Sequence, residues 1–183
     1  MHKWLMLLLT GIGLATAPAR SEVLAADADA ACALLIQPAR WWNGQHSYSG
    51  DAANMRIDAR AGGCFCEAIV EYGGEPDGSV EHGRVLYAAP GRQLRLAGAL
   101  GSQQAEAVTG TLDFTITPVE RGSRIALNYH VGGYRQDGLH VIAPMIDKVL
   151  AEQRASLRPA AESSGSAGPA IPRRQEPERR LIR

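Results

Sequence analysis

The feature that most constrains this chain is a change of hydrophobic period. Leu112, Phe114 and Ile116 alternate with Thr111, Asp113, Thr115 and Thr117, and Ile125, Leu127, Tyr129 and Val131 alternate with polar or small partners. A period of two turns one side of an extended strand toward a core and the other toward solvent. Beyond Gly138 the spacing lengthens. Leu139, Ile142, Ile146, Val149, Leu150, Gln153 and Leu157 recur at three and four, which predicts an amphipathic helix over 139–157 with one core face. Pro144 then sits in its first turn or kinks it.

Further strand-like runs cover 63–72, 79–89 and 94–97, the first two joined by Gly73-Gly74-Glu75-Pro76-Asp77-Gly78, a dense turn signal. Strands at 111–117 and 124–131 form a second hairpin across 118–123, and a short helix over 29–36 precedes Pro38. The order of helix, antiparallel meander and long helix is α+β, not an alternation of β and α units.

Composition sets bounds on function. With 183 residues, 19 Lys+Arg against 19 Asp+Glu and 45% hydrophobic residues, the chain suits one ordinary domain and not a polybasic nucleic-acid binder. Gly132-Gly133 belongs to no P-loop or dinucleotide pattern, so no phosphate-bearing cofactor is expected. Lys3, the apolar run from Trp4 to Ala15 and Ala17-Pro18-Ala19 have the order of a secretory signal cleaved after Ala19, with Ala26 a weaker cleavage point. We expect residues 1–19 to be this signal, 20–26 a short linker, 27–158 the domain and 159–183 a disordered basic tail carrying Arg173, Arg174, Arg179, Arg180 and Arg183. Export to the periplasm or medium follows, without stable membrane insertion once the signal is removed, because no apolar run reaches the roughly 18 residues of a spanning helix.

Several local runs carry a family likeness. They are Pro38-x-x-Trp41-Trp42, His46-Ser47-Tyr48-Ser49-Gly50-Asp51-Ala52-x-Asn54, Gly62-Gly63-Cys64-Phe65-Cys66-Glu67 and Gly78-Ser79-Val80-Glu81-His82-x-Arg84-Val85. Pro90-Gly91-x-x-Leu94-Arg95-Leu96-x-Gly98-Ala99-Leu100-Gly101 and Val131-Gly132-Gly133-Tyr134 complete the set. Together, over residues 38–157, they resemble bacterial members of the SRPBCC superfamily, which includes START-related lipid carriers, polyketide cyclases and heat-shock ATPase-activator homologues. The resemblance implies a helix-grip fold, a curved antiparallel sheet around a long C-terminal helix with an apolar cavity between. Only residues 20–37 separate the cleavage point from Pro38, so the first strand is expected to be shortened or absent. Ser102-Gln103-Gln104 also replaces a Pro-Leu-Gln run of such relatives, which alters the expected lid loop.

Centring the first hairpin near Glu75 and Pro76 sets Glu67 opposite Arg84, Ile69 opposite His82 and Phe65 opposite Leu86 on one side of the sheet. Cys64, Cys66, Ala68, Val85 and Tyr87 fall on the other. Two placements fit: a polar end to the cavity, with Arg84 holding Glu67 ionised and His82 titrating near neutrality, or an exposed cross-strand ion pair. Candidate ligand-binding residues are Phe65, Glu67, Ile69, His82, Arg84, Leu86, Phe114, Tyr129, Trp42 and His46, with Glu67 and His82 the candidates for any proton transfer.

For Cys64 and Cys66, three readings stand: small buried apolar residues, a disulfide from one of them to Cys32, or a metal site. No metal or cofactor is assigned. A regular strand would hold Cα atoms two residues apart at nearly 7 Å, the edge of what a disulfide tolerates. His46 lies near Ser47, Ser49 and Asp51, yet no G-x-S-x-G elbow is present to activate a serine. The expected function is binding or carriage of a small hydrophobic or amphipathic molecule. The alternatives are a cyclase- or dehydratase-type enzyme acting on a polyketide-like or aromatic substrate, and a ligand-free protein-interaction module.

Overall fold

A computed structural model describes residues 21–70 and 76–163, so the proposed signal segment, the first part of the expected 73–78 turn and most of the proposed tail lie outside the described residues. Seven strands form one antiparallel sheet: β1 Ser21–Leu24, β2 Met55–Ile57, β3 Cys64–Val70, β4 Pro76–Ala89, β5 Gln93–Ala97, β6 Ala107–Val119 and β7 Gly122–Tyr134. Their spatial order is β1-β7-β6-β5-β4-β3-β2, a meander in which the first strand closes onto the last. Helices α1 Ala28–Leu35 and α2 Leu139–Glu162 complete an α+β architecture, a curled half-barrel sheet with a long C-terminal helix. This is the fold class expected from the period change.

Two boundaries move. The expected linker carries β1, which pairs with β7 from Ser21↔Ala126 to Leu24↔Ser123 and buries Leu24 completely. The first strand is therefore shortened, not absent. At the other end α2 continues past Arg158 to Glu162, because Pro159 lies in the helix without ending it. Ala160 is buried, Arg40 Nη2 donates to its carbonyl at 3.2 Å, and Arg158 pairs with Glu22 of β1. A chain ending at Leu157 should therefore melt several degrees below one ending at Ser163, on the order of 1 kcal/mol for a domain this size, measurable by calorimetry.

The long β6–β7 hairpin turns over two residues, with Val119 paired to Gly122. Its inner positions Leu112, Phe114, Ile116, Ile125 and Leu127 join Trp41, Leu35, Leu150 and Leu157 in one core, the burial that favours this sheet and helix together. Asp27 caps α1 by accepting from Ala30 N at 2.8 Å.

Strand β4 departs from regular alternation, with register shifts opposite Ile69/Val70 and Phe65/Cys66 and between Val85 and Tyr87. Phe65 pairs with Gly83 but Cys66 with Glu81, so His82 is the extra residue of a bulge; Asp77 and Leu86 are the extra residues at the other two shifts. Gly98 permits the bulge at His82, since a Cβ there would meet His82 O at 2.6 Å. The pairs nearest the turn, Val70↔Pro76 and Ile69↔Gly78, already overturn the pairing expected from a turn centred near Glu75 and Pro76. Glu67 lies opposite Val80 and Arg84 opposite Cys64, so Glu67 and Arg84 do not meet.

Cys64 and Cys66 are disulfide-bonded to each other with their Cα atoms 5.4 Å apart, closer than a regular strand holds them. Cys32 is a free thiol, half-buried against the core, which corrects the reading that paired it with Cys64 or Cys66. With Glu81 the two bonded sulfurs form a cluster within 4.8 Å, but sulfurs spent on one another are not thiolate ligands.

Candidate ligand cavity

The polar run after Trp42 folds as two 3₁₀ turns, Gly44–His46 and Ala52–Asn54, each capped by its own side chain. Asn43 Oδ1 accepts from Gln45 N at 3.0 Å and Asp51 Oδ1 from Ala53 N at 2.9 Å. Gln153, at a core position of α2, accepts from Asn43 N at 2.7 Å and so anchors the loop to the helix. Trp42 Nε1 donates to His46 O at 3.0 Å.

This loop closes over a fully buried carboxylate. Glu67 accepts hydrogen bonds from the backbone N–H of Tyr48 at 3.0 Å, from that of Ser49, and from His82 Nε2 at 2.8 Å. The bulge turns the His82 ring inward, where it is 3% exposed between Phe65 and Tyr48, with ring centroids at 4.9 and 5.9 Å. Burial pushes the Glu67 carboxyl up, but the hydrogen bonds from Ser49, Tyr48 and His82 outweigh it and hold the group below its ordinary value of 4.5. Burial pushes His82 below its ordinary 6.5, with Glu67 pulling only partly the other way. At neutral pH the pair is an ionised carboxylate holding a neutral imidazole by its Nε2–H, which leaves Nδ1 as the acceptor nitrogen.

Both shifts run downward, and both act in the same direction on stability. Below pH 6.5 the unfolded chain protonates His82 while the folded chain resists, and below 4.5 it protonates Glu67 while the folded chain still holds the carboxylate. The melting temperature should therefore fall as pH drops through 6.5 and fall further below 4.5. The acid limb should be shallower in Glu67→Gln/His82→Phe, as read by thermal scans across pH.

Beside this pair lies a cavity of about 470 Å³. Trp42 and His82 stand on the sheet side, Tyr48 and Leu100 on the two loops, and Ile146 and Val149 on α2. Tyr48 OH donates to Gly101 O at 2.8 Å and so joins the loops across the opening. Tyr129 steadies the second loop by donating to Gly98 O at 3.1 Å and accepting from Leu100 N at 3.2 Å. Its ring occupies the space that a Cβ on Gly110 would need, with contacts down to 2.4 Å, so glycine is required there.

The candidate residues sort by place. Trp42, His46 and His82 line the cavity; Glu67 and Phe65 stand behind His82, Phe65 against Trp42 at 5.5 Å. Phe114 packs on Trp41 in the core, Tyr129 supports the loop, and Ile69 lies along β3 outside the cavity wall. Arg84 and Leu86 are corrections. Arg84 pairs with Glu81 and donates to Gly62 O at 3.1 Å on the outer face, and Leu86 is 53% exposed, because the bulges turn both away from the core. No serine–histidine–aspartate relay forms: His46 Nε2 pairs with Glu152 at 2.8 Å, Ser47 Oγ donates to Gly44 O and Ser49 Oγ to Asp51 O. Glu152 and Met145 have no place in the sequence analysis, and Leu100 and Gln103 enter it only through the family likeness and its lid loop, not as ligand-binding candidates. Met145 and Glu152 at least follow the helical spacing of Ile142 and Val149 toward one side of α2.

No family model matches this chain, and no curated protein does. Solved structures share the fold. A protein from Nitrosomonas europaea matches at 15% identity and TM-score 0.52, over 78% of this chain and 92% of that one. A Staphylococcus aureus protein of unknown function matches at 8% identity and TM-score 0.51, over 79% and 91%. A Rhodobacter sphaeroides protein matches at 18% identity and TM-score 0.50, over 79% and 90%. At these identities the likeness concerns the fold alone: uncharacterised bacterial proteins with a curled antiparallel sheet.

Proposed function

We propose that this protein is an exported helix-grip member of the SRPBCC superfamily that binds and carries a small apolar or amphipathic molecule in the cavity beneath α2. The observation that carries the reading is the cavity itself: about 470 Å³ walled by Trp42, Leu100, Ile146, Val149 and Leu150, with a buried polar pair at one side. Ligand sites combine mostly apolar walls with a few placed polar groups in this way. Export rests on the order of Lys3, the apolar run and Ala17-Pro18-Ala19. Cleavage after Ala19 would leave β1 whole, whereas cleavage after Ala26 would remove it together with buried Leu24, so N-terminal sequencing of the mature protein should read Arg20 first.

Equilibrium dialysis of the purified protein against an organic extract of its host cells, followed by mass spectrometry, tests the binding reading. Enrichment of one apolar compound on the protein side supports it, and a uniform distribution of all compounds contradicts it. One observation favours a second reading, an enzyme of the cyclase or dehydratase type. Burial keeps His82 neutral and Glu67 commits its Nε2–H, the state in which Nδ1 can take a proton from a bound molecule. In that case the dialysed compound would be converted on incubation, and His82→Gln would slow its conversion by about 10²- to 10⁴-fold while still binding it.

A further inference from the structure

The polar side chains of the cavity wall have turned most of their protons to the protein, the second N–H of the Gln103 amide excepted. Ser47 Oγ donates to Gly44 O at 2.7 Å, Tyr48 OH to Gly101 O at 2.8 Å, and Gln103 Nε2 to Leu100 O at 2.9 Å. His82 directs its Nε2–H to the Glu67 carboxylate. What each retains is acceptor capacity: hydroxyl lone pairs, the imidazole Nδ1 and the Gln103 amide oxygen. Gln103 is 4% exposed, and its Oε1 has no hydrogen-bond partner among the described residues. A buried acceptor without a donor carries a desolvation cost that an incoming donor relieves. Ser102, exposed at the rim, is the one hydroxyl of the wall with an uncommitted proton.

The charges agree with this pattern. No lysine or arginine lines the cavity, His46 is already paired with Glu152, and the nearest buried charge is the Glu67 carboxylate. An anionic headgroup would be stripped of water beside a like charge, with no cation to meet it.

We propose that the cavity selects a neutral apolar molecule bearing a hydroxyl or comparable hydrogen-bond donor, received by His82 Nδ1 and Gln103 Oε1, and rejects carboxylates of the same size. This proposal rests on the binding function above and narrows it to a ligand class.

Isothermal titration of the full mature protein at pH 7 with three matched probes tests it: 1-naphthol carries the donor, 1-methoxynaphthalene lacks it, and 1-naphthoate is an anion. The expected result is that 1-naphthol binds at least about tenfold more tightly than either of the others, the worth of one hydrogen bond to an otherwise unpaired buried acceptor. In Gln103→Met the preference over the ether should shrink at least about threefold, with binding of the ether itself little changed. If the ether or the naphthoate binds as tightly as the naphthol in the wild type, the donor rule is overturned and the carrier reading survives. If none of the three binds, both fall. The wild-type comparison stands even where a variant fails to fold.

Discussion

Glu67→Ala should lower stability by about 3–5 kcal/mol, the scale on which removal of one partner of a buried polar pair is felt. The carboxylate is fully buried and is the shared acceptor of Tyr48 N, Ser49 N and His82 Nε2, so its loss strands three donors at once and frees the loop that roofs the cavity. For a domain this size the loss corresponds to a fall in melting temperature of about 10 °C or more. Glu67→Gln should cost less, about 1–3 kcal/mol, because the amide oxygen still accepts while the amide nitrogen meets a donor. Arg84→Met is the control: an exposed pair with Glu81 should be worth less than about 1 kcal/mol and should leave ligand binding untouched. A Glu67→Ala protein melting with the wild type would remove the carboxylate from the account of the fold.

The second large effect concerns the cavity. Ile146 and Val149 lie on one side of α2, three residues apart, and both line the cavity. Ile146→Trp/Val149→Trp should fill space that is open in the wild type. Ligand affinity should then fall at least about 100-fold, near 2.7 kcal/mol, while the melting temperature stays the same or rises. That separation matters, since a variant that lost binding by losing its fold would melt early. Full affinity in a stable double variant would place the ligand elsewhere.

What the sequence could and could not reveal follows from the same geometry. The switch from a period of two to spacings of three and four located both long hairpins and the core face of α2, because burial of one side imposes those periods wherever an element is regular. Gln153 appeared at a core position for that reason, and it does anchor the loop through Asn43 N. The failures lie where regularity breaks. The pairs next to the turn, Val70↔Pro76 and Ile69↔Gly78, depart from a centre at Glu75 and Pro76, and none of the three register shifts along β4 leaves a trace in alternation that a pairing read outward from the turn detects. A turn centred near Glu75 and Pro76 sets Glu67 against Arg84, whereas its partners are His82 and two backbone amides. Glu67 and His82 do meet, but through an extra residue and not through the register expected.

The disulfide has the same origin in a break of regularity. Nearly 7 Å between Cys64 and Cys66 holds for a regular strand, and β3 is contracted beside the bulge to 5.4 Å. The Leu100–Gln103 wall leads into a 3₁₀ turn, Gly101–Ala105, too short to carry any period, so only the family likeness marks it as a lid loop.

The central claim is that this fold exists to hold one small molecule. Native mass spectrometry of the mature protein purified from its own host tests it most directly, run beside Ile146→Trp/Val149→Trp prepared in the same way. The wild type should carry one added mass of a neutral organic compound, released on denaturation, and the filled variant should show the bare chain. A bare wild-type chain, or the same added mass on both proteins, would contradict the account.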